Sequence, residues 1–171
     1  MIALGSDHGG FQLKEHIKKH LKEQGYEVKD FGCFDETSVD YPTIAVPVAK
    51  AVAGGECEKA ILCCGTGLGM SIAANKIKGI RAACCSDCFS AKLTREHNDA
   101  NILCLGGRVV GPGLAVMMAD LFLTTEFTGA QHTRRLAMIR EIEDKQDLCP
   151  PTCGNPEQVF TFLRKNQAGM P

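Results

Sequence analysis

Short apolar runs alternate along the chain with longer segments in which apolar residues recur every three or four positions. The short runs predict strands at residues 2–6, 27–31, 60–63, 81–85 and 102–105. The longer segments predict helices. Two apolar stripes mark the first two helices: Leu13, Ile17, Leu21, and Ile44, Val48, Val52. Four more helices are predicted at residues 71–78, 90–98, 114–123 and 132–145.

This regular exchange of strand and helix predicts an α/β domain of three layers. We expect a doubly wound, five-stranded parallel sheet of the flavodoxin/Rossmann-like type, with helices on both faces and strand order 2-1-3-4-5. In such folds, ligands bind at the carboxyl ends of the strands. The domain is expected to span residues 1–145. A C-terminal extension, residues 146–171, contains a proline-rich loop at 149–156 and a predicted short helix at 157–165.

The composition fits a globular enzyme-sized domain. The chain has 171 residues, of which 44% are hydrophobic, and its formal net charge of -1 gives no overall attraction to nucleic acid. We see no signal peptide and no apolar run long enough to cross a membrane. We therefore expect a cytoplasmic protein that interacts with neither membranes nor nucleic acid.

The ten cysteines are expected to be free thiols rather than a disulfide framework. Most lie in apolar runs, where cysteine behaves as a small buried hydrophobe. The cluster of Cys84, Cys85 and Cys88 has only part of a metal-site spacing, and we expect no metal there. Cys149 and Cys153 in the extension receive no assigned role.

Cys64 begins a glycine-rich loop, Cys64-Gly65-Thr66-Gly67-Leu68-Gly69, between a buried strand and a helix. Glycines let a substrate approach the backbone closely, and the N–H groups at the start of a helix favour an anion. Thiols beside a helix N-terminus ionise more readily and serve as bases or nucleophiles. The alternative is an inert buried thiol. Strand alternation turns Cys63 to the other side, which makes Cys63 the better structural thiol.

Two other pairs of polar residues are candidates for the same site. Asp7 and His8 follow the first strand, where they form either a simple turn cap or contacts to a substrate. Their position at the ligand edge favours substrate contacts. His97 and Asn98 close the fourth helix. A histidine there can act only as a partner of the helix dipole, but we favour a functional role.

Three arginines stand where phosphate ligands are expected. Arg108 follows the fifth strand, and Arg134 and Arg135 begin the last helix. The planar guanidinium group binds phosphate through paired hydrogen bonds. A solvated basic surface is the alternative, more so for Arg134 than for Arg135.

An ordered series of motifs within residues 1–144 closely resembles the type B ribose-5-phosphate isomerases, a family that also contains galactose-6-phosphate isomerases. The motifs are Ser6-Asp7-His8-Gly9-Gly10, Asp40-Tyr41-Pro42, the Cys64 loop, Ser71-Ile72-Ala73-Ala74-Asn75-Lys76, Gly79-Ile80-Arg81-Ala82, Arg95-Glu96-His97-Asn98-Asp99 and Arg108-Val109-Val110-Gly111. The resemblance implies a metal-independent aldose–ketose isomerase without a cofactor, acting on a phosphorylated sugar of the pentose phosphate pathway. It also implies a homodimer or tetramer whose active sites are built across the subunit interface.

The resemblance further implies a role for each matching residue. Cys64 would be the base that moves a proton between C1 and C2. Thr66 would hold the enediolate oxygen together with the loop amides of Gly65, Gly67, Leu68 and Gly69. His97 would help to open the furanose ring, with Asn98 beside it. The remaining residues would contact the substrate: Asp7 and His8 the sugar or its phosphate, Tyr41 the border of the pocket, and Arg108 and Arg135 the phosphate.

One position departs from the family pattern. Gln131 stands where these isomerases commonly carry an arginine, directly before His132. The preferred sugar is therefore open between ribose 5-phosphate, a six-carbon phosphosugar such as allose or galactose 6-phosphate, and a rare free sugar. A non-catalytic sugar-phosphate-binding module is a remote alternative, because such a module needs neither Cys64 nor His97. A flavin-binding flavodoxin is disfavoured by the scarcity of tyrosine and tryptophan.

Overall fold

Five parallel strands form a single sheet in the computed structural model, which describes residues 1–146. The strands are β1 (Ile2–Ser6), β2 (Val28–Asp30), β3 (Lys59–Cys64), β4 (Ala82–Cys84) and β5 (Ile102–Gly106). The helices are α1 (Phe11–Glu23), α2 (Tyr41–Ala53), α3 (Leu68–Ala74), α4 (Cys88–Asn98), α5 (Pro112–Thr124) and α6 (Gln131–Gln146). A short 3-10 turn, His8–Gly10, joins β1 to α1. The predicted α/β class is confirmed.

The sheet is covered on both faces, as its sequence pattern predicts. Every residue of β1, β3 and β5 is buried, which is expected of central strands in a parallel sheet. On one face, Ile61 and Cys63 pack into a core that contains apolar residues of α1, α4 and α5. On the other face, Leu62 and Cys64 pack with residues of α2 and α3. Alternation along one strand thus supplies two separate hydrophobic layers.

The strand order differs from the predicted 2-1-3-4-5. The observed order is β2-β1-β3-β5-β4, so the last two strands exchange places. β5 is a fully buried run of five residues, whereas β4 has three residues and is partly exposed at Ala83 and Cys84. The longer apolar strand therefore takes the central position, and the short one forms the edge. As a result, the loop after β5 lies next to the loop after β3.

The chain divides into two units. The first, residues 1–133, contains the sheet and helices α1 to α5; the second begins at Arg134, within α6. Apart from Gln146, the predicted extension lies outside the described residues, together with Cys149, Cys153 and the predicted helix at 157–165. None of the helices found up to residue 146 combines the length and the apolar character that a membrane span requires.

Candidate active site

The Cys64 loop lies at the carboxyl end of β3 and turns sharply into α3. Gly67 begins the turn with a left-handed backbone (φ 82°), and its N–H donates to Sγ of Cys64 over 3.0 Å. A side chain at position 67 would also collide with Cys84, because a Cβ there would lie 2.8 Å from the Cys84 Sγ atom. Glycine is therefore required both for the backbone conformation and for the space beside the thiol.

Hydrogen bonds from neighbouring segments fix the backbone of this loop. The carbonyl oxygen of Cys64 accepts from the N–H of Gly107 over 2.7 Å, and that of Gly65 accepts from the N–H of Arg108 over 3.0 Å. The Cys84 thiol donates to the carbonyl oxygen of Thr66 over 3.6 Å. The loop is thus anchored to the segment after β5 and to the end of β4.

The two adjacent cysteines have different surroundings, as alternation predicts. Cys63 faces the α1, α4 and α5 layer and is fully buried, and this burial raises the pKa of its thiol far above the ordinary range. Cys64 faces the other layer, and its sulfur accepts a hydrogen bond from the N–H of Gly67 in the adjacent loop. Burial also raises the pKa of Cys104, and it raises that of Cys85 to about 11. The buried thiols of Cys63, Cys85 and Cys104 therefore serve as packing residues.

Asp7 and His8 lie directly beside the Cys64 loop. Asp7 caps the 3-10 turn, since its Oδ1 accepts from the N–H of Gly10 over 3.1 Å, and it is 8% exposed. Nδ1 of His8 accepts from the N–H of Val39 over 3.3 Å, which leaves the ring proton on Nε2. Asp7 therefore performs the capping role considered from the sequence, at a position that also borders the loop.

Gly10 shows how closely this turn packs against β3. A Cβ at Gly10 would lie 2.3 Å from the carbonyl carbon of Cys63, so the chain passes with no room for a side chain. A Cβ at Gly9 would lie 3.1 Å from the backbone nitrogen of Gly65. The loops after β1 and β3 are thus in contact along the backbone.

Arg108, Tyr41 and Thr66 complete the surroundings of the loop. The Arg108 side chain crosses Gly65, where an added Cβ would lie 3.6 Å from the Cδ atom of Arg108. The Tyr41 ring covers Gly69, where a Cβ would lie 3.2 Å from the ring. The side chain of Thr66 is exposed, and its Oγ1 accepts weakly from the N–H of Leu68 over 3.4 Å. Asp7, Tyr41 and Arg108 thereby lie around the predicted loop, and His8 belongs to the turn that packs against it.

His97 and Asn98 lie at the amino ends of the strands, whereas Cys64 lies at their carboxyl ends. α4 starts after the carboxyl end of β4 and returns toward the amino ends of the strands. The carbonyl oxygen of Asn98 accepts a hydrogen bond from Arg81, the residue directly before β4. The first residue of β4, Ala82, pairs with Ile102 of β5, which in turn pairs with Ala60 of β3. Cys64 is four residues beyond Ala60, or roughly 13 Å at about 3.3 Å per strand residue. Within one chain, these residues are not brought to Cys64.

His97 has a partner that the sequence did not single out. Its ring stacks on that of His132, with centroids 4.3 Å apart and planes 12° apart. Thr128, in the segment between α5 and α6, donates to the carbonyl oxygen of Glu96 through both its N–H and its Oγ1. Gln131 reaches Nε2 of His132 over 3.4 Å. A second group of polar side chains therefore lies at the amino ends of the strands.

The remaining candidates concern phosphate and metal. Arg134 and Arg135 are exposed on α6, in the second unit. Among residues 1–146, the eight cysteines are free thiols, and no cluster of three or more histidine, cysteine or acidic side chains is arranged to hold a metal ion.

Comparison with known proteins gives consistent matches over the described residues. A model of the Ribose/Galactose Isomerase family matches residues 2–139. Ribose-5-phosphate isomerase B of Escherichia coli (strain K12) is 51% identical over 146 residues, which cover 85% of this chain and 98% of that protein. The structure of ribose-5-phosphate isomerase B from Clostridium thermocellum matches with a TM-score of 0.84 and 55% identity, covering 85% of this chain and 98% of that one.

Two further matches carry information on ligands. Ribose-5-phosphate isomerase B from Mycoplasma genitalium, solved with bound ribulose-5-phosphate, matches with a TM-score of 0.80 and 39% identity over 84% of this chain and 96% of that one. A D-erythrulose-4-phosphate isomerase from Pectobacterium atrosepticum is 39% identical over 147 residues, covering 85% of this chain and 96% of that protein. These relatives therefore differ in the length of the sugar named for them.

Proposed function

The chain belongs to the ribose/galactose isomerase family, and from that premise we propose that it interconverts ribose 5-phosphate and ribulose 5-phosphate, with Cys64 as the base. The observation that carries this proposal is the position of the Cys64 thiol. It lies at the carboxyl end of a central strand, beside a loop whose Gly67 N–H points at the sulfur from 3.0 Å. Such a donor stabilises negative charge on sulfur.

The proposed reaction moves one proton between adjacent carbons. The Cys64 thiolate takes the proton from C2 of the open-chain aldose, which leaves an enediolate with its negative charge on O1. The resulting thiol returns the proton to C1, while the O2 hydroxyl proton passes to O1, and the C2 ketone forms. Thr66 and the loop amides stabilise the enediolate oxygen, since preorganised donors act most strongly on charge that develops in the transition state.

The remaining chemistry needs a second protomer. Cys64 and His97 lie at opposite edges of the sheet, so one chain supplies the base without the group proposed to open the ring. We infer that His97 and Asn98 of one protomer complete the Cys64 site of another, in a homodimer or tetramer. His97 would take the proton of the anomeric hydroxyl and deliver it to the ring oxygen O4 as the C1–O4 bond breaks, so that C1 becomes the aldehyde and O4 a hydroxyl; this is an acid–base role suited to imidazole.

The phosphate is assigned to Arg108 and Arg135, with Asp7 and His8 contacting the sugar or its phosphate and Tyr41 bordering the pocket. The Arg108 guanidinium already lies over the Cys64 loop, next to Gly65. An anchored phosphate holds the reacting carbons in place without taking part in the reaction, and such positioning lowers the barrier. Gln131, where an arginine is common, leaves one possible phosphate contact uncharged.

A second candidate function is the same reaction on a sugar of different length. The Pectobacterium relative is named for a four-carbon phosphosugar. Its name adds such a sugar to the six-carbon phosphosugars and rare free sugars considered above. A non-catalytic binding module is the remaining alternative.

A substrate panel tests the proposal. Initial rates are measured with ribose 5-phosphate, erythrose 4-phosphate, allose 6-phosphate, galactose 6-phosphate and free ribose, each with and without a chelator. We expect the highest kcat/KM for ribose 5-phosphate and no effect of the chelator. A higher kcat/KM for another sugar would transfer the proposal to that substrate, and binding of all sugars without turnover would favour the binding module.

A further inference from the structure

The last turn of α4 is held by two arginines that the proposed reaction does not use. α4 ends at Asn98, and the next residue, Asp99, has left-handed backbone angles of φ 45° and ψ 44°. Aspartate adopts this conformation more readily than most residues other than glycine, and here two arginines bond to it. The contacts that hold Asp99 therefore also fix the position of His97, two residues before it.

Arg95 holds Asp99 from within the same helix. It is 5% exposed, and its Nη1 donates to Oδ1 of Asp99 over 2.9 Å and to the carbonyl oxygen of Ala100 over 2.5 Å. Its Nε reaches the carbonyl oxygen of Thr125, at the end of α5, over 3.3 Å. Arg95 thus joins the end of α4 to the segment that leads to His132.

Arg81 holds the same turn from the start of β4. Its Nε donates to the carbonyl oxygens of Asn98 and Asp99 over 2.9 and 3.0 Å. Its Nη2 donates to the carbonyl oxygen of Asp99 over 2.7 Å and to Oδ2 of the same residue over 3.0 Å. The Asp99 carboxylate therefore accepts one arginine on each of its oxygens.

His97 is consequently fixed on both sides along the chain. The carbonyl before it, that of Glu96, is held by Thr128, and the carbonyl after it, that of Asn98, is held by Arg81. The His97 ring itself stacks on His132. Charged donors bound to backbone carbonyls make the strongest of these contacts.

We propose that Arg81 and Arg95 are positioning residues that orient His97 for ring opening, acting through Asp99 and the α4 carbonyls without touching the sugar. The inference rests on the proposed role of His97. Orientation is decisive at such a site, because a displacement of about 1 Å can lower a rate by roughly a hundredfold.

Two rates separate ring opening from proton transfer. Isomerisation of ribose 5-phosphate starts from a furanose ring and needs both steps. Exchange of a C1 hydrogen of ribulose 5-phosphate with deuterium from D2O needs only proton transfer, because the phosphate on O5 keeps this ketose open. NMR spectroscopy follows the exchange, and a coupled assay follows the isomerisation.

The central variant is Arg81→Met, with Lys92→Met as its control. Lys92 is an exposed cation on the same helix, paired with Glu96 over 3.4 Å. We expect Arg81→Met to lower kcat for ribose 5-phosphate by between about tenfold and a hundredfold, while hydrogen exchange stays near the wild-type rate. Lys92→Met should leave both rates unchanged. Arg81→Lys, which retains the charge but only one nitrogen, should restore part of the loss and carries the test if Arg81→Met does not fold.

A double variant decides whether the arginine acts through His97. In a His97→Asn background, Arg81→Met should cause no further loss of isomerisation, because the group that it orients is already absent. Equal losses of exchange and isomerisation, or a full additional loss in the double variant, would overturn the inference. Failure of the proposed function looks different, since the wild-type protein itself would then show neither rate.

Discussion

The backbone N–H of Gly67 donates to the sulfur of Cys64 over 3.0 Å, and the same glycine leaves no room for a side chain next to Cys84. Gly67→Ala places a methyl group in a left-handed conformation (φ 82°) and 2.8 Å from the Cys84 sulfur. We expect the variant to fold with a stability loss above the 1–2 kcal/mol or so of the backbone term alone, and to lose most of its isomerase activity.

Gly25→Ala is the matched control for that prediction. Gly25 has a nearly identical φ of 84°, but nothing lies within 4 Å of a Cβ there. It should lose stability through the backbone term and retain its activity. Thermal unfolding and initial rates of both variants make the comparison. Full activity in Gly67→Ala would contradict the requirement for glycine beside the Cys64 thiol.

His97→Asn tests the proposed opening of the sugar ring. We expect a large decrease in kcat/KM for ribose 5-phosphate, of about a hundredfold, which is typical for removal of a general acid or base. Exchange at C1 of ribulose 5-phosphate should persist, because that ketose has no ring to open. His16→Asn, at an exposed position on α1, should change neither rate. Loss of exchange in His97→Asn would assign the histidine to the proton transfer instead.

Gln131→Arg tests whether a phosphate contact is missing. If the added guanidinium reaches the phosphate, KM for ribose 5-phosphate should fall by about tenfold, since a hydrogen bond to a charged group contributes about 1.5–3 kcal/mol. Gln24→Arg adds the same charge at an exposed position at the end of α1 and should leave KM unchanged. An unchanged KM in Gln131→Arg would mean that position 131 does not face the phosphate.

The acid stability of the fold should depend on Asp30. Its carboxylate lies 2.7 Å from the fully buried Lys14 ammonium and 2.7 Å from Lys18. Burial by itself raises the pKa of Asp30, but the hydrogen bonds from both lysines outweigh it and hold the pKa below the ordinary value of 3.8. A lowered folded-state pKa stabilises the fold above pH 3.8, and this contribution is lost as the pH falls through the lowered value.

Asp30→Asn should therefore lower the free energy of unfolding at pH 7 by about 3 kcal/mol, because it leaves the buried Lys14 with a weaker partner. The difference from the wild-type protein should shrink as the pH falls below 3.8. Urea unfolding at a series of pH values measures it. Glu23→Gln, which breaks an exposed pair with Lys19, serves as the control and should cost less than about 1 kcal/mol. A pH-independent difference would contradict this account of Asp30.

The sequence pattern was sufficient for the elements but not for their arrangement. Apolar runs and helical stripes predict each β-strand and α-helix found between residues 1 and 146, though not the 3-10 turn His8–Gly10. The order of β4 and β5 could not be predicted from alternation alone, because it depends on which strand can be buried on both sides. α3 covers Leu68–Ala74 rather than the predicted 71–78, because the N–H groups of Lys76 and Ile77 bond carbonyls three residues back and so leave the α-helical pattern.

A position directly after a strand indicated which candidate residues lie near Cys64, whereas a position at the end of a helix indicated residues at the opposite end of the strands. Cys64 ends a parallel strand, and Asp7 and Arg108 come within two residues of the ends of its two neighbours, so the three lie at the carboxyl ends of the strands. His97 ends a helix that returns to the other edge, which the order of elements already implies. The buried charges of Lys14 and Arg95 were missed because charged side chains usually predict an exposed surface.

Replacement of Cys64 tests the central claim most directly, with the adjacent thiol as its control. Exchange of the C1 hydrogen of ribulose 5-phosphate in D2O is measured for the wild-type protein, Cys64→Ala and Cys63→Ala. We predict exchange in the wild-type protein and in Cys63→Ala, because the Cys63 side chain faces the opposite layer. Cys64→Ala should bind substrate but lose exchange by between about a hundredfold and ten-thousandfold. Undiminished exchange in folded Cys64→Ala would contradict the assignment of Cys64 as the base.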